Sequence, residues 1–215
     1  MQLRMNAKPF SVTLFLLLVL VALSEGPVAR AQGLPAATRK ADITVFGGYT
    51  YSNPDYGAER NNGGVVGADY TRYFGWRVAP SFEVRANYTT GFEMDQETVL
   101  AGLRLKTDIR RRFHPYANFL AGGTKITFHF PLNPRYLTDT ATAYSVGGGL
   151  DVDVYRSFGL KVDYQEQFEN FGPNGTQPNN ADFSLSPTHF SAGIVYRIPF
   201  GAHKKQNYKS SSKSD

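Results

Sequence analysis

Apolar and polar residues alternate with a period of two from Ala41 to Phe200, the mark of β-strands whose two faces meet different surroundings. A third segment shows this best: Trp76, Val78, Pro80, Phe82, Val84, Ala86 and Tyr88 share one face, and Arg77, Ala79, Ser81, Glu83, Arg85, Asn87 and Thr89 the other. A soluble sandwich strand usually has about 5 or 6 residues, whereas a tilted membrane-spanning strand needs roughly 9 to 11. The run from Trp76 to Thr89 is of the longer kind, so length and period together favour a bilayer.

Seven further segments repeat the pattern. The first puts Ile43, Val45, Gly47, Tyr49 and Tyr51 on the apolar face, the second Val66, Ala68 and Tyr70. The fourth sets Val99, Ala101, Leu103 and Leu105 against Arg104, Lys106 and Asp108. The fifth sets Phe113, Pro115, Ala117, Phe119 and Ala121 against His114, Tyr116 and Asn118. In the sixth Tyr144, Val146, Leu150, Val152 and Val154 oppose Ser145, Asp151 and Asp153, and in the seventh Phe158, Leu160, Val162 and Tyr164 oppose Lys161, Asp163 and Gln165. The eighth sets Phe190, Ala192, Ile194, Tyr196, Ile198 and Phe200 against Ser191, Val195 and Arg197. After Gly122 and Gly123 the apolar parity flips to Ile126, Phe128 and Phe130, which predicts a bulge or register change there and a strand rising past the bilayer.

The connections alternate in length. Short turns fall at Tyr73 to Gly75, Asp108 to Arg112 and Tyr155 to Ser157; long polar loops fall at Asn53 to Gly64, Thr90 to Glu97, Pro131 to Ala141 and Phe168 to Pro187. Aromatics gather at both ends of the segments, with Phe74, Trp76, Phe113, Phe158 and Phe200 near the short turns and Tyr49, Tyr51, Tyr88 and Tyr164 at the other end. Amphipathic rings are most stable between headgroups and hydrocarbon, so two such belts mark two membrane interfaces. The expectation is an all-β, eight-stranded antiparallel up-and-down transmembrane barrel over 41–200, with both termini periplasmic. A soluble secreted lipocalin-like barrel binding a ligand is the alternative with the same alternation.

The start of the chain supports export. Arg4 and Lys8 precede an uncharged apolar run from Val12 to Leu23, and Ala29-Arg30-Ala31 supplies a small-x-small cleavage site, as in a secretory signal peptide. Residues 1–31 are read as that signal, 32–40 as a short lead and 201–215 as a basic disordered periplasmic tail. The run is also too short for a spanning helix, which needs roughly 20 residues.

The chain of 215 residues has no cysteine, which removes disulfide scaffolds and thiolate chemistry. Its formal charge is +5, of which the signal region holds +2 and the tail after Phe200 holds +3. Residues 32–200 are therefore neutral in sum and have no nucleic-acid footprint.

The secretion signal, the eight alternating segments and the last strand, Phe190 to Phe200, together resemble the small outer-membrane β-barrels typified by the transmembrane domain of outer-membrane protein A. The resemblance implies that the last strand, with Phe190, Ile194, Tyr196, Ile198 and Phe200, is an assembly signal read by the barrel-insertion machinery. It further implies an integral protein of the Gram-negative outer membrane, in contact with its lipids. The chain departs from larger relatives in lacking a globular peptidoglycan-binding domain and in running 15 residues past Phe200.

At eight strands an interior is wide enough only for side chains to fill it. The polar face carries near-balanced charge, and Glu83, Arg85, Arg104, Lys106, Asp151, Asp153, Lys161, Asp163 and Arg197 are expected to pair inside as a plug. The enzymatic alternative, a lipid A-modifying barrel, rests on His189 and Ser191, an H-x-S pair. Nucleophilic catalysis would need them mutually oriented, aided by an acid and facing lipid, whereas parity turns both inward. No catalytic residue, cofactor or metal site is assigned. Phe171 and Phe183 on the long fourth loop are candidates for contact with a surface ligand, and the lysine-rich tail is a candidate for contact with anionic wall polymer.

Overall fold

Strand-forming residues at a period of two, broken by Gly, Pro and Asn turns, produce a closed sheet. The computed structural model describes residues 40–200 except 58, 75, 110–111, 131–136, 156 and 172–182. Eight long antiparallel strands form the wall: β1 (Ala41–Asn53), β2 (Asn61–Arg72), β3 (Val78–Thr90), β4 (Met94–Thr107), β5 (Phe113–Phe128), β6 (Thr138–Tyr155), β7 (Phe158–Phe171) and β9 (Thr188–Phe200). Each pairs with its chain neighbour and β9 pairs back to β1, so no edge is left open. A three-residue strand, β8 (Phe183–Leu185), extends the sheet beside the end of β7.

The fold is inside-out relative to a soluble protein. Arg85, Glu83, Arg104 and Lys106 are fully buried within the barrel, while Leu103 is 67% exposed and Val66, Ile194, Val99 and Leu160 are also exposed on the outer wall. Only lipid satisfies so continuous an apolar exterior. A lipocalin would have the opposite arrangement, so the soluble alternative fails.

The strands run further than the alternation implied. The segments read as loops at Asn53 to Gly64, Thr90 to Glu97, Pro131 to Ala141 and Phe168 to Pro187 are partly strand, because polar residues at the extracellular ends still complete the ladder. The third segment is shorter at its start: Trp76 and Arg77 lie in the turn before β3, so Arg77 is exposed at the rim and not in the lumen.

The expected break at Gly122 and Gly123 is absent. The β4–β5 and β5–β6 registers pass through both glycines without a shift, and the inward parity holds from His114 to Phe128. What changes is the chemistry of the interior, which turns apolar toward the extracellular end. The observed register shift lies instead between Asp153 and Tyr155, in the β6–β7 pairing.

Inward glycines make room for the large side chains opposite. A Cβ on Gly149 would stand 2.7 Å from the hydroxyl of Tyr116. Gly48 and Gly193 face each other across the β1–β9 closure, where a Cβ on Gly193 would lie 2.6 Å from the Gly48 Cα.

Candidate functional site: the charged barrel interior

The strand period aims every second residue of eight strands at one axis, so charges far apart in sequence meet. Near the short-turn end, Arg197 of β9 binds Asp153 of β6 at 2.8 Å and lies 3.7 Å from Asp42 of β1. Asp42 also accepts from the Tyr73 hydroxyl at 2.7 Å and lies 3.6 Å from the Lys106 ammonium. His114 bridges Asp108 at 2.6 Å and Asp153 at 3.0 Å. In the turn itself, burial would raise the Asp108 carboxyl, but the hydrogen bond and charge of His114 outweigh it and hold Asp108 below the ordinary range. Burial and then the neighbouring Asp42 push the Tyr73 hydroxyl far above its usual value, which keeps it a neutral donor.

The middle of the barrel is crossed by two arginines. Arg104 of β4 reaches Asp69 of β2 at 2.7 Å and also binds Asp151 of β6, with Glu83 at 3.8 Å. Arg85 of β3 binds its own-strand neighbour Glu83 and spans to Asp163 of β7 at 2.7 Å. Lys161 stands 3.5 Å from Asp151 and 3.9 Å from Asp163. Tyr116 lies at the centre, with the Arg104 guanidinium 3.6 Å and the Lys161 ammonium 4.1 Å from its ring centre, and its hydroxyl donates to Asp163 at 3.0 Å. Such charges survive burial because each cation faces carboxylates and a π-face at once.

Above the ion-pair network the interior is lined by amides, hydroxyls and the buried acids Asp139 and Glu169. Gln165 donates to Asn118 at 3.0 Å and accepts from Ser145 at 2.9 Å, while Gln96 donates to Glu169 at 2.6 Å. An apolar cluster of Met94, Ile126, Phe128, Phe171 and Leu185 lies at the end opposite the short turns.

The nine residues expected to pair in the lumen are thus brought together, and each takes part in an ion pair. The network also draws in His114, Tyr73 and Tyr116. Parity marks His114 and Tyr116 as inward; their role as bridges depends on the cross-barrel partners, which no sequence spacing reveals. Phe190, Ile194, Tyr196, Ile198 and Phe200 all point outward from β9. Phe171 is corrected: it is strand, only 3% exposed, and stacks on the half-buried Phe183 with ring centres 4.9 Å apart. It therefore packs inside the end of the barrel and does not present itself to a surface ligand. Ala29, Ala31 and the tail lie outside the described residues.

His189 and Ser191 are not hydrogen-bonded to each other. Ser191 shares a hydrogen bond of 2.9 Å with the Thr50 hydroxyl, neither ring nitrogen of His189 has a hydrogen-bond partner, and both residues face the interior, away from lipid. Among the described residues no group of three His, Cys, Asp or Glu is arranged to hold a metal ion.

An apolar outer wall of eight closed strands around a charged interior defines an integral outer-membrane β-barrel. The family model described as outer membrane protein beta-barrel domain matches residues 13–197, and the chain belongs to that family. Among solved structures it is similar to Ail, the attachment invasion locus protein of Yersinia pestis, at 15% identity and a TM-score of 0.50, covering 74% of this chain and 97% of that one. It is similar to the same extent to neisserial surface protein A, at 12% identity and a TM-score of 0.50, again covering 74% of this chain and 97% of the other. These neighbours establish the fold. No curated protein sequence matches the chain.

Proposed function

We propose that this outer-membrane protein is a closed, non-conducting barrel that serves adhesion or envelope integrity through its extracellular loops and performs no catalysis. The observation that carries this reading is the pair of arginines spanning the lumen, Arg85 from β3 to β7 and Arg104 from β2 to β6. With the apolar cluster above them, little room is left for a solute path. The outward aromatic and aliphatic side chains of β9, ending in Phe200, suit recognition by barrel-assembly machinery, and the lysines after Phe200 suit contact with anionic wall polymer.

Planar-bilayer recording tests the closed lumen. The purified barrel is expected to give no discrete conductance steps, and steps of order nanosiemens would overturn the reading. Deletion of residues 172–182 tests the surface role: adhesion and serum resistance should fall while the barrel remains folded, and unchanged values would remove that role.

A further inference from the structure

We propose that the short-turn end of the barrel wall carries a binding site for anionic phospholipid headgroups of the periplasmic leaflet, built around Arg72, Phe74, Trp76 and Arg77 with Lys40 beside them. It rests on the membrane placement of the wall and adds a lipid preference to it.

The site grows from the turn between β2 and β3. The Tyr73 amide donates to the Lys40 carbonyl at 3.1 Å, which ties the entry of β1 to this turn. On the other side the Thr107 hydroxyl donates to the Arg77 carbonyl at 2.9 Å and fixes the turn against the end of β4. Three exposed cations are thereby held along one arc of the rim. Among the described residues none of them has a carboxylate partner, in contrast to the interior cations, and the nearest rim acid in sequence, Asp108, is already engaged by His114.

The same turn supplies the apolar half of a lipid site. Trp76 is 74% exposed, and its ring lies 5.5 Å from that of Phe74. The Arg72 guanidinium sits over the Phe74 ring at 5.3 Å, which holds a positive charge directly beside the apolar rings. Rings at acyl depth with guanidiniums just beyond them match a phosphodiester headgroup carrying its own acyl chains. A free phosphate would use only the charged half. Each basic residue near an anionic surface favours it by several-fold, so three together give a measurable preference.

Trp76 is the single tryptophan of the chain, so its fluorescence reports this site alone. The test reconstitutes the full chain in vesicles containing acyl-brominated phosphatidylglycerol or acyl-brominated phosphatidylcholine and compares quenching. Phosphatidylglycerol should occupy the site at least about threefold more strongly, and the K40Q/R72Q/R77Q variant, with its tail intact, should bring the ratio to about one. Equal quenching by both lipids in the wild type would overturn the headgroup site, as would a preference that survives in K40Q/R72Q/R77Q. Absence of quenching by either lipid would overturn the membrane placement of the turn itself, and the site with it.

Discussion

Replacing Arg104 with Met retains most of the side-chain volume but removes a cation that is 1% exposed and binds Asp69 and Asp151. What remains for Asp69 is the Thr71 hydroxyl at 3.1 Å, and for Asp151 the Lys161 ammonium at 3.5 Å. Asp69 would then keep no ion-pair partner, and Asp151 would share Lys161 with Asp163, all of them buried. Removal of one partner from a buried pair costs about 3–5 kcal/mol. With a urea dependence near 2 kcal/mol per molar, the unfolding midpoint in lipid vesicles should drop by roughly 1.5–2.5 M. The folded fraction is read from the shift between unheated and boiled samples on a gel. The R104M/D69N/D151N variant should recover most of the loss, because neutralising both sides of a buried pair is nearly neutral. A loss below about 1 kcal/mol for R104M alone, the value of a water-exposed pair, would mean a hydrated lumen and would sink the closed-barrel reasoning.

Two further outcomes follow from local geometry. Gly193→Val puts a branched side chain where even a Cβ would lie 2.6 Å from the Gly48 Cα, so β1 and β9 cannot close and the heat-modifiable band should be lost from the membrane fraction; normal assembly would refute it. At the extracellular end, the hydrogen bond to Asp95 at 3.2 Å, helped by the Phe92 carbonyl, raises the His129 imidazole above its ordinary value. The link is therefore fully present below about pH 6.5 and is lost as pH rises through the higher folded value. NMR titration should place the His129 midpoint above that of the D95N variant, and coincident midpoints would refute the pairing.

The wall was legible in the sequence because its cause is local: a strand that must show lipid one face and polar groups the other writes that demand at every second position. The same parity named Arg85, Arg104 and Asp163 as inward. It could not choose partners, since Arg85 and Asp163 are 78 residues apart and meet only after closure. The error at Gly122 and Gly123 has a physical source as well. Apolar Ile126 and Phe128 fall on the otherwise polar face, and their hydrophobicity alone predicts a change of register, whereas the register is continuous and they pack inside the barrel beside Met94 and Phe171. Phe171 reads as loop because it stands beyond the clear alternation of β7 in an Asn- and Gly-rich stretch, and β8 escapes notice because three residues cannot display a period.

The extra length of β5 and β6 bears on how the protein meets its surroundings. At roughly 3.3 Å per residue and a tilt near 40°, the 18 residues of β6 rise about 45 Å, against an apolar band about 25 Å tall. Hydrogen-bonded sheet therefore continues well above the lipid before the chain turns, and the pairing of Phe183 with Phe171 braces it. A partner landing on this side meets backbone that is already ordered. Less conformational entropy is surrendered on contact than if long coils rose directly from the membrane surface, so even a small footprint could bind with useful strength.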